Sequence, residues 1–373
     1  MTAARRTLAA TLLSLLALSA RGATIEEEMR AVERIRGLSF LAPVRTVELE
    51  RRDLPERLRE QIQKTLPYST EEWVDVLRAL HLVDEGTTAE LVVSSLIKLY
   101  ESQVLAYYDP PSKTFYTLRQ LPDAVRDLPQ LNEGIAIHEL THALQDQHFA
   151  IGAKDLALRD DADANLAYHA LIEGEATLVM LAYMVEQSGA SLDDMIGSNM
   201  FDLSAAASQV LPIGGPPYFN EMLKFPYIDG LHFVIEAYRR GGWKELDRVY
   251  ANPPRSTREI LHPEDYFEHR FTPEPFHRKP AIAVPHLLSV EHLGEFHWRF
   301  LTGNAEGWMG DRVTIAQNAF CETTVLIETK WDSDEHARRF YDAYRDSLSK
   351  IEGRSVKVAY GADRALMERF IGR

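Results

Sequence analysis

Cysteine is almost missing from this chain of 373 residues: Cys321 is the one example. No internal disulfide and no Cys-rich zinc ribbon can form, so a bound metal would take histidine and carboxylate ligands. Positive charge is also scarce, with 41 Lys and Arg against 56 Asp and Glu and a formal net charge of −15. That balance argues against nucleic acid or an anionic membrane surface as the main partner, because either needs clustered Lys and Arg. Beyond the first twenty residues no stretch approaches 18 unbroken apolar residues, so no stable membrane span is expected. Internal repeats and low-complexity tracts are lacking too. What is present is globular in character, 45% hydrophobic and 26% charged, with room for one large domain or two to three smaller ones.

The N-terminus reads as an address. Arg5 and Arg6 precede an apolar run from Thr7 to Ala20, and small residues follow at Ala20, Gly22 and Ala23. This is the order of a secretory signal peptide. At about 1.5 Å per residue the run falls short of a bilayer core of roughly 30 Å. Residues 1–22 are therefore expected to be removed and the remainder exported, to the periplasm or beyond.

Residues 23–100 carry helical periodicity. The stretch 26–36 is charged and amphipathic, and 54–66 and 71–82 space their apolar residues by three and four. Ser69 and Glu72 have capping-box spacing. The period then changes. VLAYYD (104–109) and TFYTL (114–118) are aromatic-rich, β-prone runs around Pro110-Pro111-Ser112-Lys113, which predicts a hairpin. Helical periodicity returns from Asn132 to His148, with Asn132 as N-cap, and again from Ala164 to Gln187, stopped by Gly189. LPIGGPP (211–217) reads as a connector, 230–240 as a helix, and 263–285 as extended chain. In the tail, 313–315, 323–330 and 355–359 read as strands, and 333–349 and 363–371 as helices. The fold expected is α+β and mostly helical. Its parts are an N-terminal helical region (23–100), a metal-binding domain (101–280) and a small C-terminal α+β unit (281–373).

Within the middle region stands His138-Glu139-Leu140-Thr141-His142. Four residues turn an α-helix by about 400°, so the two imidazoles stand on one face, one turn apart. They can meet a single Zn²⁺, opposite the apolar face formed by Ile137, Leu140 and Leu144. Glu139 lies about 100° round the helix, too offset to be an equal ligand but able to take a proton from a water at the metal.

Zinc needs one more protein ligand. His148 follows His142 by six residues, about 600° on, and points away from the paired face. Glu173 and Glu175 are two apart and face nearly opposite sides of their helix, so only one can point at the metal. Glu173 is preferred. Gly174 beside it would let its helix approach the His-bearing helix, and Thr177 one turn on could hydrogen-bond the ligand. Glu175, His169 and the acids at 160–163 are the alternatives. His169 reads rather as packing. Asp160, Asp161 and Asp163 lack the regular loop of a calcium site and read as a solvated loop. Tyr227, His232 and His262 are candidates to stabilise an oxyanion. His269, His277, His286, His292 and His297 show no ligand spacing.

HELTH followed by Glu173 in EGEA resembles the zincin metallopeptidases, in the gluzincin arrangement of two His and one Glu. HELTHALQDQHF with EGEAT further resembles a group of exported bacterial proteins of uncharacterised function. The resemblance covers about residues 104–180, with weaker extension through 225–227 and 253–266. It implies a zincin-like catalytic lobe with an edge strand, from the 104–118 hairpin, above the active-site helix, where a peptide could add as a strand. It implies Zn²⁺ held by His138, His142 and Glu173, with Glu139 as the base that activates water for peptide hydrolysis. Many gluzincins carry Asp four residues after the ligand Glu, where this chain has Thr177. The alternative function is a catalytically silent scaffold that keeps the zincin fold for binding.

Overall fold

The structure, a computed structural model, describes residues 23–66, 68–103, 106–119, 129–197 and 216–373. The expected signal segment (1–22), residues 104–105 of the first hairpin run, and 211–215 of the connector lie outside them. The fold is α+β, mostly helical, with two small sheets.

Helix α1 (Ile25–Arg36) opens with a reciprocal capping box between Thr24 and Glu27 and ends at Gly37, whose φ of +73° suits glycine. It buries Val32 and Ile35 against the main helical core. Strand β1 (Arg45–Leu49) was not foreseen, because RTVEL is largely solvent-facing and too polar to signal a strand. It pairs in parallel with β3 (Thr114–Leu118), which pairs antiparallel with β2 (Ala106–Asp109). The order β1-β3-β2 leaves β2 as an edge. Helices α2 (Leu54–Thr65), α3 (Thr70–Ala79) and α4 (Ala89–Gln103) then serve two cores. Leu54 and Leu58 cover the small sheet, while Val74 and Leu77 join the core of the C-terminal sheet.

Three long helices position the candidate site: α5 (Pro129–Phe149), α7 (Ala162–Gln187) and α9 (Pro217–Gly241), with the short α6 (Ile151–Leu158) between the first two and the short α8 (Leu192–Gly197) between the last two. α5 starts at Pro129 rather than after Asn132, which sits inside its first turn. Ile137, Leu140 and Leu144 are fully buried against α7, whose Ala167, Leu171 and Leu178 are buried as well. α7 is apolar around most of its circumference, as befits a helix packed by neighbours on several sides. α9 is far longer than the stretch 230–240 suggests and runs straight through Pro226. Proline removes a helical N–H, which is why a helix is not expected there. Here Phe225 and Pro226 are both buried, and that packing outweighs the lost bond.

The C-terminal unit is a five-stranded antiparallel sheet in the order β4-β5-β6-β8-β7. Its strands are β4 (His286–Glu291), β5 (Trp308–Gln317), β6 (Thr323–Trp331), β7 (Leu348–Glu352) and β8 (Ser355–Gly361). Val313, Ile315, Val325, Ile327, Val356 and Val358 line one face, and Ala316, Leu326 and Ala359 the other, under Met367 and Phe370. The helix expected over 333–349 stops at Ala343, and β7 takes its last residues. A five-residue strand is too short to interrupt a helical pattern in sequence, and its pairing with β8 decides. Strand β4 and the helix Gly294–Thr302 were not expected. Within 263–285, Pro263–Phe267 is a short helix and not extended.

Glu28 of α1 is buried beside Glu133 of α5 and Glu27, and burial followed by these like charges raises its pKa to about 8. Ionisation of this carboxyl therefore opposes folding, and stability is lost as pH climbs from about 4.5 towards 8. Glu28→Gln is expected to raise the urea midpoint at alkaline pH and to be neutral at or below the lower limit. An equal shift at both ends of the range would assign the effect to packing instead.

Candidate metal centre

The site is built from α5 and α7. Four-residue spacing brings the rings of His138 and His142 together, with centroids 4.7 Å apart and planes at 87°. Their Nε2 atoms are 3.1 Å apart. Glu173 Oε2 lies 3.0 Å from His138 Nε2 and 3.5 Å from His142 Nε2. Three ligands at 2.0–2.1 Å from a tetrahedral Zn²⁺ would stand roughly 3.3–3.4 Å from one another, close to this triangle. The donor set, two imidazoles and a carboxylate, also suits zinc. Among the described residues this is the one group of three such side chains that converges in this way. The His side chains are about 10% exposed and Glu173 is 21% exposed, so the triangle opens to solvent on one side.

Burial by itself would push Glu173 up. The neighbouring His142 and His138 outweigh it and hold the carboxyl well below its usual range. Burial likewise disfavours charge on His142, but Glu173 raises that ring to about 9. The three groups thus form an ion-paired cluster in which a dication would displace a proton.

Glu139 sits beside the triangle, close enough for its charge to be felt by both rings and by Glu173. The backbone N–H of Tyr108 donates to its Oε2 at 2.9 Å. The Tyr108 hydroxyl donates to Asp146 Oδ2 at 3.0 Å. Edge strand β2 is therefore pinned to α5 at two points. One N–H expected to be open for a peptide strand is already used to orient Glu139. Burial is the largest influence on the Glu139 carboxyl and raises its pKa, against the lowering pull of the two imidazoles and the Tyr108 N–H.

The remaining candidates separate cleanly. Glu175 is wholly buried and pairs with Arg36. His169 Nε2 is 2.6 Å from Asp155 Oδ1, and this partner overcomes desolvation to raise its pKa. His148 Nε2 bonds the carbonyl oxygen of Ser39 at 2.8 Å. Of the acids at 160–163, Asp160 is exposed in a turn as expected, but the other two are not solvated loop residues. Asp161 caps α7 through the N–H of Ala164, and Asp163 is buried, accepting from Thr257 N–H at 2.8 Å. Burial lifts the Asp163 pKa to about 7. Thr177 Oγ1 is buried without a hydrogen-bond partner, so it does not support Glu173.

Gly174 does permit a close approach, but to a different helix. A Cβ there would stand 2.4 Å from the carbonyl oxygen of Gly230 on α9. Tyr227 lies within α9 and stacks over His138, centroids 6.1 Å apart. His262 is bonded to Glu295 at 2.7 Å, and His232 is exposed beside Asp229. Two residues at the site were not anticipated: Tyr108, whose contribution is a backbone N–H with no side-chain signature, and Gln145. Gln145 Oε1 lies 2.8 Å from His142 Nδ1. Its spacing of three from His142 is the signal that could have marked it.

Residues 288–369, most of the C-terminal sheet unit, match a family described as a domain of unknown function, DUF8575. No curated protein and no solved structure matches the chain.

Proposed function

We propose that this chain is an exported zinc metallopeptidase with a zincin-like catalytic lobe, and that its substrate is a peptide or protein. The observation that carries the proposal is the triangle of His138, His142 and Glu173, whose ligand atoms all lie within 4.8 Å of one another. Its support is the placement of Glu139 beside that triangle, held by the Tyr108 N–H. Zinc bound there would act as a Lewis acid, lowering the pKa of a water towards 7 and polarising the scissile carbonyl. The Tyr108 N–H donated to Oε2 fixes the Glu139 carboxylate, which would receive the water proton and later deliver it to the departing amine. Tyr227, whose ring stacks over that of His138, is the side chain we assign to the developing oxyanion.

Metal analysis of purified protein tests the first half. One zinc per chain is expected in the wild type and almost none in His138→Ala. A wild type that stays metal-free with zinc supplied rejects the proposal. Digestion of a broad peptide library tests the second half, since a peptidase yields products that a chelator abolishes. Zinc binding without such products would favour the scaffold alternative.

A further inference from the structure

A histidine can offer Nε2 to a metal only if that nitrogen carries a lone pair, so the neutral ring must keep its proton on Nδ1. In His142 that proton faces Gln145, which is 2% exposed. An amide can present either end to a ring, and its surroundings decide which. The Nε2 end of Gln145 lies 3.0 Å from the carbonyl oxygen of Ile172 and 2.7 Å from Glu175 Oε2. A carbonyl and an ionised carboxylate only accept, so both positions demand N–H, and the amide has two to give. Tyr250 Oη lies 2.9 Å from the same nitrogen, and a hydroxyl, being donor and acceptor at once, puts no demand on which end the amide presents. Reversing the amide would set an oxygen against two oxygens and point an N–H at His142 Nδ1, selecting the wrong tautomer.

Glu175 remains an acceptor because of Arg36. The Arg36 Nε donates to Glu175 Oε1, and its second arm donates to Asp247 Oδ1 at 2.6 Å. Arg36 is 2% exposed and Glu175 is 0% exposed. A guanidinium can only donate, so the Glu175 oxygen that it meets accepts, and the buried pair holds the carboxylate opposite the amide.

We propose that Gln145 is the positioning residue of the metal site. The buried Arg36–Glu175 pair sets its amide, and the amide keeps the His142 proton on Nδ1 so that Nε2 faces the metal. This rests on the zinc-peptidase reading above. A neutral amide here fills the orienting role often taken by a carboxylate, without adding negative charge beside Glu173 and Glu139. It also makes α1, which supplies Arg36, part of the site's support, although α1 contributes no ligand to it.

The test is a zinc competition titration on the full chain at about neutral pH, with thermal melts as the check on folding. Gln145→Leu is expected to weaken zinc binding about 10–100-fold, the range for removing a group that orients a ligand. In zinc-loaded, ¹⁵N-labelled protein the exchange-protected Nδ1 proton of His142 should lose its protection in this variant. Gln145→Glu should also weaken binding, since its second oxygen would face Ile172 and Glu175. Adding Glu175→Gln returns an N–H to that position, and the double variant should recover at least about tenfold of the affinity lost. A general packing defect would not recover in this way. Folded Gln145→Leu with wild-type affinity and an unchanged Nδ1 proton overturns this proposal and leaves the zinc site standing. If Gln145→Leu does not fold, absence of recovery in the folded double variant overturns it. A wild type that binds no zinc overturns both, and that result appears in the first titration.

Discussion

Glu139→Gln is expected to keep zinc at the wild-type level while lowering peptide cleavage about 10²–10⁴-fold, the usual contribution of a positioned general base. The substitution is nearly isosteric, and its amide oxygen can still accept the Tyr108 N–H that now meets Glu139 Oε2 at 2.9 Å. Strand β2 also keeps its second anchor, the Tyr108 hydroxyl on Asp146. What disappears is the ability to take a proton. The environment of Glu139 suits that task. Burial raises its pKa, the two imidazoles and the Tyr108 N–H offset part of the rise, and the net direction is upward from 4.5. A base whose pKa moves towards the working pH transfers protons more effectively. The sign for cleavage follows. The rate should fall as pH drops through the raised Glu139 value, because the protonated carboxyl cannot act as base. Cleavage within a few-fold of wild type would remove Glu139 from the mechanism. Loss of zinc together with activity would assign it to the site's architecture instead.

Gly230→Ala is expected to destabilise the fold by about 1–3 kcal/mol or more, as overpacking does, with a fall in zinc affinity alongside. In an exposed helix the same change would stabilise by roughly 1 kcal/mol, because alanine is the better helix former. The sign reverses here because α7 and α9 touch backbone to backbone. A Cβ at Gly230 would lie 2.2 Å from the carbonyl oxygen of Ala170, and one at Gly174 would lie 2.4 Å from that of Gly230. No side-chain rotation relieves a clash with a carbonyl, so the helices must part. Glu173 is one residue from this contact, so separation shifts the carboxylate away from the imidazoles that α5 holds. Urea unfolding and a zinc titration on the variant measure the two effects. Stability equal to or above wild type would show that the crossing is looser than its geometry implies.

The candidate site was partly legible because its logic is local. His138, Glu139 and His142 belong to one helix, and the 3.6-residue period places them without knowledge of anything else. That only one of Glu173 and Glu175 can face the imidazoles follows from the same period, and the two side chains do part, one towards the imidazoles and the other towards Arg36. The preference for Glu173 leans on Gly174 and Thr177, and neither has the role expected of it. The role of Gly174 was misjudged for the opposite reason. A missing Cβ says that something comes near, and the sequence does not say which helix. The Asp160–Asp163 stretch shows the same limit. Three acids within four residues suggest solvent, yet Asp163 is buried by Thr257 and Gly294, which are remote along the chain.

From sequence alone come the helical periods of α1, α5 and α7, the hairpin, and the single face on which two imidazoles stand. These depend on neighbours within a turn or a pairing strand, where geometry repeats. Only the tertiary structure decided that β1 joins the hairpin in parallel, that α9 continues through Pro226, and that β7 replaces the end of a helix. It alone brought Tyr108 to Glu139, and Arg36 through Glu175 and Gln145 to His142. Apart from the three-residue step from Gln145 to His142, those contacts join residues 30 to 139 positions apart, and they form because burial leaves each polar group only the partners that packing brings within reach.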